Sequence, residues 1–305
     1  MVQLPPQFEI AKELPPPGSS LKQAEQYTRW LATHHYENFV VASVFLPRRL
    51  RQHFYNVYAY CRWADDLADE VPETATALEL LDWWGAELRE CYAGSAKHAV
   101  FIALKQTIEK FQIPVQPFSD LLTAFRQDQV VRRYSTWNEV LDYCRYSANP
   151  VGRLVLYLCG YSDSDRQALS DFTCTALQLA NFWQDVSRDL DKDRIYIPRE
   201  LMTAYAINED DLLRRRFDTR YANLMRVLVE RTRELFERGL PLAPSIVPSL
   251  RMDIELFSRG GLAVLDAIEL IGYNTLERRP SLSGATKIRL IGRALGEHAL
   301  SYATR

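Results

Sequence analysis

The sequence predicts an all-α fold, organised as one helical domain over residues 20–305 behind a short leader. Three observations predict it. Long stretches carry apolar positions at helical spacing without an internal proline. Only 12 Gly and 15 Pro interrupt 305 residues, too few for a turn-dense β architecture. No Asn-Gly or Asp-Gly pair joins two alternating segments, and no repeat of fixed period is present.

Residues 1–19 contain Pro5, Pro6, Pro15, Pro16, Pro17 and then Gly18, which predicts an extended, mobile leader. Ser19 and Ser20 are suited to cap a helix over 21–34. Pro47 fits the first position of a helix running to Glu70. Thr136 and Glu139 have the spacing of a capping box. Asn149-Pro150 interrupts an apolar stretch that ends at Gly160, predicting a kink or a broken helix. A further helix is expected over 164–194, stopped by Pro198, and later ones over 219–239, 250–271 and 282–303.

Composition narrows the function. The formal charge of −2 lacks the basic excess of a nucleic-acid binder. Five cysteines without C-x-x-C spacing read as reduced, buried thiols rather than disulfides or a zinc site. The N-terminal residues have no basic region followed by an apolar core, and no apolar run reaches the roughly 18 residues of a membrane span. The expectation is a cytoplasmic protein with at most peripheral contact on the inner face of a membrane.

Two predicted helices carry narrow polar stripes in apolar surroundings. Tyr58, Arg62, Asp65 and Asp69 step by four, three and four residues, so they share one face. Val57, Cys61, Ala64, Leu67 and Ala68 surround them. Gln178, Asn181, Asp185 and Asp189 form a second such stripe, flanked by Leu177, Leu179, Phe182, Trp183 and Val186. Polar stripes of this kind line internal cavities, where carboxylates are costly unless paired or metal-bound. Two Asp at i, i+4 can jointly ligate a hard cation through oxygen, and Mg²⁺ typically bridges such groups to substrate phosphates. Chance gives roughly five acidic i, i+4 pairs among 39 acids, most of them solvated helix surface, so one pair carries little weight. Two pairs, each with polar residues on its own face and apolar flanks, are hard to read as surface. The chemistry they suit is a diphosphate leaving group held by Mg²⁺.

The segments Tyr58–Glu70 and Leu177–Pro198 resemble the two signature segments of the squalene/phytoene synthase family, and the likeness runs over nearly the whole chain after the leader. The resemblance implies an isoprenoid-synthase helical bundle around a central cavity. It also implies that Asp65, Asp69, Asp185 and Asp189 bind Mg²⁺, and that Arg62, Arg194 and Tyr196 contact diphosphate. Gln178 and Asn181 would lie beside the reaction centre, with Tyr143 as the cavity tyrosine. Residues 35–47 and 257–273 most resemble the bacterial hydroxysqualene synthase branch of hopanoid pathways, which converts presqualene diphosphate. Condensing relatives usually carry Ser or Lys where Glu37 and Asn38 stand, and Glu37 would repel a second diphosphate. Leu262 stands where some relatives have another cavity tyrosine. Phe39, Tyr58 and Trp183 offer aromatic faces to a carbocation.

Other motifs receive plainer readings. His34-His35 lacks a metal-ligand partner at helical spacing and reads as hydrogen bonding. Gly260-Gly261 has no dinucleotide-binding context. Trp83 and Trp84 read as core, Arg214-Arg215-Arg216 as a solvated face. The C-terminal segment 286–305 is expected to pack on the bundle, with an interfacial lipid-delivering helix as the alternative. The expectation is therefore a Mg²⁺-dependent enzyme acting on a thirty-carbon isoprenoid diphosphate, with other hopanoid-pathway enzymes as candidate partners. The alternatives are a condensing enzyme making presqualene diphosphate, squalene, dehydrosqualene or phytoene, and a non-catalytic assembly factor. Retention of all four aspartates argues against the last.

Overall fold

The computed structural model describes residues 8–34 and 47–282. Among them the elements are helices, with a single isolated bridge between Arg133 and Ile195. The helices are α1 (Leu21–His34), α2 (Arg48–Asp69), α3 (Thr74–Tyr92), α4 (Ala99–Phe111), α5 (Gln116–Val130), α6 (Trp137–Ser147), α7 (Asn149–Leu158), α8 (Ser164–Asp191), α9 (Arg199–Ala204), α10 (Glu209–Leu213), α11 (Thr219–Gly239) and α12 (Pro248–Leu270). Short 3-10 turns occupy Glu9–Ala11 and Leu240–Ser245. Contacts divide the chain into two compact units, one comprising Met1–Val130 with Pro150–Ser162, the other Val131–Asn149 with Asp163–Arg305.

In the first unit α2 packs on α1, α3, α4 and α5. Its centre is aromatic: Trp63 stacks on Trp84 at 5.3 Å between ring centroids, and Tyr60 meets Phe118 edge-on at 4.9 Å. The polar ends of Tyr60 and Trp63 are satisfied, which is what makes their burial affordable. Tyr60 Oη donates to the Phe118 carbonyl, and Trp63 Nε1 donates to Tyr27 Oη, which itself donates to the Ile10 carbonyl. A buried amide network closes the rest: Asn56 accepts from Thr28 and Gln52 and donates to Thr107 and to the Ala103 carbonyl.

The second unit is built on α8, against which α6, α11 and α12 pack. Asp163 caps α8 by accepting from the Arg166 amide at 3.0 Å. Trp183, fully buried on α8, donates from Nε1 to Thr232 Oγ1 of α11 at 2.8 Å. Gly261 of α12 lies so close to α8 and α11 that an added Cβ would fall 2.2 Å from Phe236 and 2.9 Å from Leu177. Only glycine permits this approach.

Several expectations are refined. The leader is not extended throughout: Phe8 and Ile10 are buried, and the Ile10 carbonyl is bonded to Tyr27. Two apolar side chains and one carbonyl bond outweigh the proline-rich surroundings. Pro47 stands at the N-cap of α2 rather than inside it. The capping box at α6 is half formed, since Thr136 accepts from Glu139 N while the Glu139 carboxylate accepts from Ser135 N. The chain breaks between α6 and α7 at Asn149-Pro150, as expected. Helix α8 ends at Asp191, before position 194, because Asp193 takes a left-handed φ of 56°. The expected helix over 282–303, with the rest of the C-terminal segment, lies outside the described residues.

Candidate active site

The first carboxylate stripe lies on α2. Arg62 reaches Asp66 at 2.6 Å, with Asp65 and Glu70 each at 3.8 Å. Asp66 is buried, and burial pushes its carboxyl up to about 7 despite the pull of Arg62; Glu70 and Asp65 add to the rise. The sequence reading missed Asp66 because it stands one residue off the polar stripe. Tyr58 is half-buried, and burial raises its phenol to about 12, against the pull of Arg62, so it stays neutral. Asp69 is exposed and the Asp65 side chain is 50% exposed.

The second stripe lies on α8. Asp189 is part-buried, and burial, then the neighbouring Asp185, push its carboxyl up to about 7; Arg194 and Lys192 oppose the rise. Asp185 accepts from Arg279, a residue the sequence reading also missed. Gln178 is half-buried and Asn181 is exposed.

The turn after α8 brings Arg194 and Tyr196 back beside that stripe. The Arg194 amide bonds the Asp189 carbonyl at 2.8 Å, and the Asp193 amide bonds the Leu190 carbonyl at 3.1 Å, the paired bonds of a Schellman ending. A cleft results, with Phe182, Val186, Asp189, Arg194, Tyr196 and Leu212 in its lining. Tyr196 stacks on Phe182 with centroids 3.7 Å apart and planes 6° from parallel. Tyr143 completes an aromatic group with both, at 5.9 Å from Tyr196 and 6.0 Å from Phe182. Thus the structure gathers Asp185, Asp189, Arg194, Tyr196 and Tyr143 in one unit, and Tyr58, Arg62, Asp65 and Asp69 in the other. Glu37, Asn38 and Phe39 lie outside the described residues.

The donor chemistry fits a hard divalent cation. Each pair offers carboxylate oxygens one helical turn apart, and the Asp185–Asp189 repulsion that lifts Asp189 is what a cation would relieve. The remaining motifs are structural. His34 Nδ1 lies 2.9 Å from the Trp30 carbonyl. Arg214, Arg215 and Arg216 are each paired with an acid: Asp210, Asp191 and Asp211 respectively. No helix among the described residues is long and apolar enough to cross a membrane.

An all-α architecture carrying these aspartate stripes is that of the isoprenoid-synthase helical fold. A family model described as squalene/phytoene synthase matches residues 32–286, and the chain belongs to that family, whose members are enzymes. Hydroxysqualene synthase of Rhodopseudomonas palustris is 38% identical over 216 residues, covering 70% of this chain and 73% of that protein. The 15-cis-phytoene synthase of Synechocystis is 29% identical, covering 92% and 85%. The crystal structure of squalene synthase HpnC from Alicyclobacillus acidocaldarius superposes with a TM-score of 0.81 at 44% identity, covering 83% of this chain and 96% of that one.

Proposed function

We propose that this enzyme converts presqualene diphosphate to hydroxysqualene with release of diphosphate, using Mg²⁺. The observation that carries the reading is the convergence of Asp189, Arg194 and Tyr196 on one cleft: a carboxylate, a guanidinium and a tyrosine. The likeness to hydroxysqualene synthase of Rhodopseudomonas palustris supports this branch over the condensing ones.

The carbon–oxygen bond to diphosphate breaks with both electrons leaving on oxygen. The resulting cyclopropylcarbinyl cation rearranges, water supplies the new carbon–oxygen bond, and its proton passes to solvent. No reductant is consumed. When bound, Mg²⁺ supplies neutralising charge to the departing diphosphate. In this reading Asp65 with Asp69, and Asp185 with Asp189, would hold metal. Arg194 offers a planar fork to phosphate oxygens, and Arg62 and Tyr196 assist it. Gln178, Asn181 and Tyr143 stand at the reaction centre. The aromatic rings of Tyr58 and Phe39 are assigned to stabilising the cation. Glu37 and Asn38 orient the attacking water through their acceptor oxygens. The apolar product favours peripheral contact with the inner face of a membrane, beside other enzymes of the same pathway.

Product analysis by mass spectrometry tests this, with farnesyl diphosphate and presqualene diphosphate offered separately, with and without NADPH. Hydroxysqualene from presqualene diphosphate alone supports it. Condensation of two farnesyl diphosphates with no action on presqualene diphosphate assigns the enzyme to the condensing branch instead.

A further inference from the structure

We propose that Arg133 is a positioning residue that fixes the turn presenting Arg194 and Tyr196; its functional consequence rests on the diphosphate-binding role assigned above to Arg194. Arg133 lies just before α6, some sixty residues upstream of that turn. Its guanidinium is shared between two acids: Nη2 lies 2.6 Å from Asp193 Oδ1 and 2.7 Å from Glu209 Oε1, while Nε donates to Glu209 at 2.8 Å. Nη1 donates to the Asp193 carbonyl as well. One arginine thus grips both the side chain and the backbone of Asp193 and ties them to the first turn of α10.

The grip falls at a strained point. Asp193 is the left-handed residue of the Schellman ending, the position glycine fills most readily. A non-glycine residue there costs roughly 1 kcal/mol or more unless its surroundings hold it. Arg133 does the holding, together with its neighbour. Arg132 Nη1 donates to the Lys192 carbonyl, and the Ile195 amide donates to the Arg132 carbonyl at 2.9 Å. Arg194 and Tyr196 flank Ile195, so their directions follow from this register. If Arg133 is lost, the turn has other φ/ψ states open to it, and the guanidinium of Arg194 no longer has one direction relative to Asp189.

Side-chain variants test the proposal. Arg133→Gln removes the fork; Asp193→Asn removes the negative charge of the pair while keeping an acceptor oxygen and tolerating the left-handed backbone, and cannot unfold the unit through a buried cavity. Amide hydrogen exchange is measured on the metal-free, substrate-free proteins. Exchange across 192–197 is expected to rise about tenfold or more in Arg133→Gln and by a smaller factor in Asp193→Asn, with residues 170–187 of α8 unchanged in both. Equal acceleration in the turn and in α8, or none in either, overturns the proposal. The affinity for inorganic diphosphate with Mg²⁺ is then measured in a double-mutant cycle. Arg133→Gln is expected to weaken it about tenfold when Arg194 is present and less than twofold in the Arg194→Gln background, with Arg133→Lys recovering only part. Equal losses in both backgrounds overturn positioning through Arg194. If Arg194→Gln alone leaves diphosphate affinity unchanged, the functional role of Arg194 fails, and the exchange result alone decides for or against Arg133 as holder of the turn.

Discussion

Arg279 donates to both carboxylate oxygens of Asp185, from Nε to Oδ1 and from Nη2 to Oδ2, across 94 residues of chain. The segment carrying it is fastened to α8 a second time, since Gln184 Nε2 donates to the Pro280 carbonyl at 2.7 Å. Asp185 therefore already has a cationic partner within the protein. A divalent cation bound by Asp185 and Asp189 has to share or displace that guanidinium. Arg279→Gln should raise the affinity of the diphosphate-free enzyme for Mn²⁺, used as a paramagnetic probe, by up to about fivefold, the range a released surface-accessible charge pair allows. Weaker Mn²⁺ binding in this variant would show Arg279 supporting the metal rather than competing with it.

The aspartates themselves give a sharper expectation. Asp65→Asn or Asp185→Asn should reduce turnover by three orders of magnitude or more while leaving the circular dichroism spectrum and the thermal midpoint close to wild type. Carboxylates clustered at one turn repel in the metal-free state, which offsets the part-exposed pair each variant weakens, Asp65 with Arg62 and Asp185 with Arg279. Near-wild-type activity of either variant at limiting Mg²⁺ would remove that stripe from the site.

A pH effect follows from Asp189. Burial and Asp185 raise its carboxyl from 3.8 to about 7. Between those values the folded metal-free protein keeps a proton that the unfolded chain has released. Its contribution to stability is therefore fully present below the lower value and is lost as pH rises through the upper one. Asp66 acts with the same sign, so the comparison is wild type against Asp189→Asn. Urea midpoints in EDTA should fall more steeply between about pH 4 and pH 7 for wild type than for the variant. Parallel curves would contradict the assignment.

The glycine pair on α12 offers a structural control. Gly261→Ala should destabilise the protein by ~1–3 kcal/mol, because the methyl group meets Phe236 and Leu177 at the point of closest helix approach. Gly260→Ala has open space around it and should stabilise by about 0.5–1 kcal/mol through reduced backbone entropy. Chemical denaturation of the two single variants measures both, and similar midpoints would contradict the packing described.

How far the sequence reveals this arrangement depends on the distance over which each feature is written. Helices α1, α8 and α11 are legible within two or three residues, because caps and apolar period are local signals. The two stripes are legible for the same reason: Asp65 and Asp69, like Asp185 and Asp189, are one turn apart. What sequence hides is set by tertiary contacts. Pro198 looks like the stop for α8, yet the stop is Asp193, whose left-handed conformation depends on Arg133 some sixty residues away. Arg279 carries no local motif, and only the fold brings it to Asp185. Asp66 is hidden by its neighbour Asp65, although it is Asp66 that Arg62 grips at 2.6 Å. Phe8 and Ile10 are concealed among prolines that suggest no packing.

In the proposed reaction presqualene diphosphate is ionised and the rearranged cation is trapped by water. The most direct test is turnover of presqualene diphosphate in ¹⁸O-water without NADPH, followed by mass spectrometry of the extracted product. Water capture yields a C30 allylic alcohol carrying one ¹⁸O. An unlabelled alcohol, a hydrocarbon product, or no turnover of presqualene diphosphate beside efficient condensation of farnesyl diphosphate would contradict it.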